Sequence, residues 1–164
     1  SNYEEILYEG YAPHGVALLV ETATDNHVRT VANVKSHFNK GNGAMGNSGS
    51  VSFQFKKMGV FKLNPEGLVM DDLELELIDH GLDELGESND DNDNPIIVLR
   101  CAFTDFGSLQ KALEEKNITA ISAELEWIPS TTVPVTDEQA EDISKLIERL
   151  EEDEDVNKVF HNMG

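Results

Sequence analysis

The residues of this chain that would carry chemistry fall into a few small groups, and spacing disqualifies most of them. Gly41-Asn42-Gly43-Ala44-Met45-Gly46 meets the pattern GxGxxG. In a dinucleotide site such glycines follow a strand and open a helix, so that the pyrophosphate meets the helix N-terminus. Here the order is reversed, with a helical rhythm before them and a strand-like segment after. Gly41, Gly43, Gly46 and Gly49 are therefore expected to form a helix stop and tight turn, with no nucleotide cofactor. Gly46-Asn47-Ser48-Gly49-Ser50 lacks the second glycine and the preceding strand of a nucleophile elbow, which removes the serine hydrolase reading. Asp90, Asp91 and Asp93 lie in a polar loop without the mid-loop glycine or closing glutamate of a calcium-binding EF-hand. His14, His27, His37, His80 and His161 are dispersed, with no HExxH pair and no cysteine partner, so no zinc site is expected. The single Cys101 sits among Ile96, Ile97, Val98, Leu99, Ala102 and Phe103 and reads as a buried strand thiol. Asn117-Ile118-Thr119 has the form of a glycosylation sequon, but nothing points to secretion. No catalytic residue, metal or cofactor is expected.

What remains is a polar stripe. Arg29, Asn33, Ser36, His37 and Lys40 recur three or four residues apart on one helix, and Lys56 and Lys57 end the strand-like segment that follows. The chain carries 12 Lys and Arg against 32 Asp and Glu, a net charge of −20, which repels phosphate. The imbalance is uneven. Residues 1–57 are neutral, residues 58–128 carry −13 and residues 129–164 carry −7. Only the first segment is suited to face nucleic acid, with Arg29, Lys35, Lys40, Lys56 and Lys57 as the candidate contacts. The competing reading of the same stripe is a solvated helix face.

The elements that must position these residues follow from periodicity. Val16 to Thr22 is an apolar run expected as a central strand. From Asp25 the positions Val28, Val31, Ala32, Lys35 and Phe38 predict a helix that stops before Gly41. Val51, Phe53 and Phe55 alternate with polar residues and predict a strand with three apolar side chains on one face. A short strand from Val60 to Leu63 precedes Leu68 to His80, which fits both periods and is assigned helix on its length and on Gly81. A hairpin of Leu82 to Ser88 and Pro95 to Ala102, a helix from about Asp105 to Lys116, and a strand from Ile121 to Ile128 complete a βαββαβ order. Thr136 with Gln139 forms a capping box for a helix through Ile143, Ile147 and Leu150, and Val156 to His161 is a strand. These last two would complete the first unit. The expected class is α+β, with two ferredoxin-like βαββαβ sandwiches, one inserted into the other: residues 1–57 with 129–164 as a discontinuous domain, and 58–128 as an acidic insert.

At 164 residues with 39% hydrophobic content, the chain can bury roughly 70% of its unfolded surface. No run approaches the roughly 18 apolar residues of a membrane span and no export signal is visible, so a cytoplasmic location is expected.

Taken together, several strings resemble the YebC/PmpR family. They are Tyr8-Glu9-Gly10-Tyr11, Pro13, Gly15-Val16-Ala17, Thr24-Asp25-Asn26, Arg29-Thr30-Val31-Ala32, Phe38, Lys40, Gly43, Met45-Gly46, Gly49-Ser50-Val51 and Phe55. Further on come Ile128-Pro129-Ser130-Thr131-Thr132-Val133, Leu146-Ile147, Asp155-Val156, Val159 and His161-Asn162. The likeness covers nearly the whole chain, the segment 58–128 chiefly in pattern. Asn42 and Ala44 depart from it, standing where the family usually has glycine and often has asparagine. The resemblance implies the second and third parts of a three-domain protein whose basic, helical N-terminal domain lies outside this chain. It also implies a cytoplasmic DNA-binding transcriptional regulator. Some relatives resemble translation factors acting at the ribosome, including the mitochondrial translational activator, which is the alternative expectation.

Overall fold

The structure is a computed structural model and describes residues 2–164. In chain order the elements are β1 (Glu4–Tyr11), β2 (Ala17–Thr24), α1 (His27–Lys40), β3 (Ala44–Met45), β4 (Phe55–Leu63) and α2 (Met70–Leu77). They continue with β5 (Leu82–Asn89), β6 (Pro95–Ala102), α3 (Phe106–Glu115), β7 (Ser122–Pro129), α4 (Asp137–Glu151) and β8 (Val156–His161). The class is α+β, as expected, built on two four-stranded sheets of order β3-β1-β2-β8 and β5-β6-β4-β7. The chain divides into two compact units, one reaching to Lys56 and resuming at Trp127–Gly164, the other Lys57–Glu126.

In the first unit β2 is central, paired antiparallel with β1 on one side and β8 on the other. Its uninterrupted apolar run reflects burial on both faces: Leu18 and Val20 join the core under α1 and α4, while Ala17 and Leu19 join a second cluster with Val51 and Phe55. At the end of β8, Asn162 is buried and its Oδ1 accepts the Ala17 N–H at 2.8 Å. The element order here is ββαβ followed by αβ, not the expected βαββαβ. The sequence reading missed β1, whose acidic residues and exposed start leave it without a continuous apolar run.

Two local expectations are corrected. The segment Val51 to Phe55 is not a strand: Ser52–Gln54 forms a 3-10 turn, Val51 and Phe55 are buried, and Phe53 is 75% exposed. A carboxylate replaces the strand partner there, because Glu9 Oε1 accepts the N–H groups of Val51 and Ser52 at 2.7 and 2.9 Å. In α1 the buried positions are Thr30, Val34 and Phe38, while Val28 is 67% exposed. The stripe is anchored by a threonine whose hydroxyl is satisfied inside the protein, which a count of apolar residues cannot register. The cap is Asn26, whose side chain accepts the Arg29 N–H.

The second unit runs β4-α2-β5-β6-α3-β7, the βαββαβ order expected for this stretch. The ambiguous segment resolves as helix because Leu73 and Leu77 are buried four residues apart while Leu75 is 74% exposed. They pack with Phe61, Leu99, Leu109 and Leu113. Cys101 is fully buried in this core, and burial pushes its thiol up. At the hairpin tip Asp90 Oδ1 accepts the N–H groups of Asn92 and Asn94 at 2.9 and 2.8 Å, closing the loop on itself. The capping box at Thr136 and Gln139 is formed.

Candidate nucleic-acid interface

The glycine-rich turn is built by packing and by an internal anion. Gly41 ends α1, and a Cβ there would stand 2.8 Å from Leu146 of α4; one on Gly43 would collide with the Tyr11 carbonyl. Asn42 adopts φ +60° and Gly49 φ +86°, so asparagine serves where a left-handed residue is needed. Beyond the turn the backbone N–H groups that a phosphate would need are already engaged by Glu9, which is 2% exposed. Burial pushes the Glu9 carboxyl up, but the N–H donors of Ser52, Val51 and Gly49 outweigh it and hold it below the usual carboxylate value. The nest is filled by the protein's own carboxylate, which is a structural role for the whole loop.

Along α1 the predicted cations have different fates. Arg29 grips Asp155, with Nη2 at 2.9 and 3.1 Å from the two carboxylate oxygens and Nε at 3.3 Å, and it also reaches Asp25 at 3.4 Å. Asp155 Oδ2 lies 2.8 Å from the Thr30 hydroxyl, which lies 2.7 Å from that of Thr24, and both threonines are fully buried. Burial raises the Asp155 carboxyl, but the hydrogen bonds from Thr30 and Arg29 and the Arg29 charge bring it below its ordinary value. His37 Nε2 meets Asp153 at 2.8 Å. Lys35 and Lys40 are exposed and, among the described residues, bonded to no carboxylate. Lys56 is exposed and Lys57 half-buried, both near the start of β4 and not on α1.

Two adjoining clefts flank α1 and α4. One, of about 580 Å³, is lined by Arg29, His37, Arg149, Asp153 and Asp155 among others. The other, of about 480 Å³, brings Lys40 together with Lys145, Arg149, His14 and Asp142. Lys145 and Arg149 were missed by the sequence reading. They stand four residues apart on α4, more than 100 positions from Lys40, in a segment whose average charge is strongly negative. Their i, i+4 spacing on an amphipathic helix was the only available signal.

Comparison with known proteins places this architecture. The family model described as the second and third domain of TACO1/YebC matches residues 3–163. A "Probable transcriptional regulatory protein" of Anaeromyxobacter dehalogenans strain 2CP-1 is 58% identical over 162 residues, which are 99% of this chain and 68% of that protein. One of the same name from Myxococcus xanthus is 55% identical over the whole chain and 68% of its own length. Among solved structures, the crystal structure of a conserved hypothetical protein, Aq1575, from Aquifex aeolicus matches with a TM-score of 0.83 and 30% identity. It is matched over 99% of this chain and 65% of that one, so the chain spans about two thirds of its relatives' length. The chain belongs to the TACO1/YebC family and carries its second and third domains.

Proposed function

We propose that this chain is part of a cytoplasmic regulator that acts by associating with nucleic acid, DNA in the first instance, and not by catalysis. The observation that carries the reading is the exposure of Lys35 and Lys40 on α1, unpaired among the described residues of a chain with 32 acidic groups. The names of the relatives, probable transcriptional regulatory proteins, agree with it. Arg29 contributes less direct contact than its position on the stripe implies, because Asp155 and Asp25 hold its guanidinium. Lys56 and Lys57 extend the basic character, and the acidic unit Lys57–Glu126 faces protein partners, since its charge repels phosphate. The glycine turn shapes the end of α1 without binding a phosphate itself.

The test is filter binding to duplex DNA across a salt series. Lys35→Glu with Lys40→Glu weakens binding and lowers the slope of log K against log salt, by about 1 for each phosphate no longer neutralised. An unchanged affinity and slope removes α1 from the interface. Co-sedimentation with ribosomes in the absence of DNA binding would assign the same surface to translation.

A further inference from the structure

We propose that the cleft between the C-terminal end of α1 and the middle of α4 is a subsite for one phosphate of a nucleic-acid backbone, with Lys40, Lys145 and Arg149 as its ligands. This deepens the nucleic-acid reading above and rests on it.

Three features separate this cleft from an ordinary solvated surface. First, the paired cations lie elsewhere: Arg29 is bound to Asp155, Arg100 to Glu84 and Lys116 to Glu76. Among the described residues Lys40, Lys145 and Arg149 have no carboxylate within bonding distance, although α4 is rich in glutamate. Second, the one carboxylate that lines the cleft, Asp142, is engaged by His14 Nε2 at 3.0 Å. Three positive groups therefore surround about 480 Å³ of concave space with a single, already bonded, negative group. Third, the cleft is positioned by rigid parts. Gly41 lets Leu146 approach closely, and Leu146, fully buried with Phe38 and Ile143, locks the two helices together. Lys145 and Arg149 flank that anchor on the same helix.

A cationic concavity of this kind suits a phosphodiester, whose charge is held without displacing any internal carboxylate. Contacts of this type position a nucleic acid without reading its sequence, and they bring two residues of α4 into an interface that α1 alone would not define. A base edge is not required.

The experiment uses the full 164-residue chain. Salt-dependent binding to duplex DNA and to single-stranded RNA is compared for the wild type, Lys145→Gln, Arg149→Gln and, as a control in the other unit, Lys111→Gln. In parallel, inorganic pyrophosphate is titrated into isotopically labelled wild-type chain and the amide shifts are followed. The expected result is a fall of about 1 in the salt slope for each α4 variant, irrespective of base sequence, with the control unchanged. Pyrophosphate shifts should be confined to residues 40–42 and 142–149. A loss seen with only one of the two nucleic acids supports the subsite and identifies its source. Nucleic-acid binding with unchanged slopes in both α4 variants overturns it. If the wild type binds neither nucleic acid, the reading that this chain itself contacts nucleic acid fails, and the pyrophosphate shifts decide separately: localised shifts support an anion cleft, and their absence overturns it.

Discussion

Replacing Glu9 with alanine should destabilise the first unit by about 3–5 kcal/mol, because one buried and one half-buried N–H group lose charge-assisted bonds worth about 1.5–3 kcal/mol each. The partners are the N–H groups of Val51 and Ser52, at 2.7 and 2.9 Å from a carboxylate that is 2% exposed. Glu9→Gln keeps an acceptor oxygen and loses the charge, so its cost is smaller, about 1–2 kcal/mol. Trp127 is the only tryptophan and, with Leu7 and Phe160, packs against the buried cluster of Ala17, Leu19, Val51 and Phe55, which includes a residue of the segment that Glu9 holds. Its fluorescence during urea unfolding therefore reports the packing of that cluster. The pH dependence gives an independent check. The folded Glu9 pKa lies below the ordinary 4.5, so its contribution is present above that value and is lost as the pH falls through the folded value. Glu9→Gln should accordingly flatten part of the acid limb of the stability curve, leaving the part due to Asp155, which is shifted in the same direction. A Glu9→Ala protein within about 0.5 kcal/mol of the wild type, the scatter of ordinary surface substitutions, would refute the argument that this carboxylate holds the loop.

Other substitutions test the remaining structure. Thr30→Val removes a buried hydroxyl lying 2.8 Å from Asp155 and should cost about 1–3 kcal/mol, read by the same Trp127 transition. Phe38→Ala, at a fully buried site, should cost about 3–5 kcal/mol, whereas Val28→Thr, on the same helix but exposed, should stay within about 0.5 kcal/mol. Phe53→Ser should likewise leave stability unchanged within about 0.5 kcal/mol in urea unfolding; a large loss would restore the strand reading of residues 51–55. Asn42→Val forces a β-branched residue to φ +60° and should destabilise by about 1–2 kcal/mol, while Asn42→Gly should be neutral in the same assay.

The elements that sequence reasoning placed well are those in which one local signal dominates. The capping box of Thr136 and Gln139 and the apolar spacing of Ile143, Ile147 and Leu150 define α4, and the polar loop around Asp90 defines the hairpin of β5 and β6. It failed where a side chain took over the role of backbone. Val51 and Phe55 have strand-like spacing with Phe53 between them, yet the distant Glu9 carboxylate occupies the N–H groups and turns the segment into a 3-10 helix. Thr30 was invisible as a core residue because it is polar, although the Thr24 and Asp155 oxygens satisfy it in the interior. In the same way Arg29 looked like a free cation until the chain brought Asp155 to it from 126 positions away.

The partial legibility of the candidate interface has one physical source. Charge averaged along the chain leaves residues 1–57 neutral and makes 129–164 acidic, so Lys145 and Arg149 disappear into the −7 of their segment. Screening acts over distance in space, about 8–10 Å at ordinary salt, and not over distance in sequence. What sets that spatial neighbourhood is Gly41. Its φ of −91° is open to any residue, so glycine is required there by the approach of Leu146 and not by backbone conformation. The same glycine that reads as a helix stop is thus the packing point that seats α4 against the end of α1 and sets Lys40 beside Lys145 and Arg149. A larger residue at position 41 would separate the two helices, and the cations would be expected to revert to isolated, solvated charges without any of them being mutated.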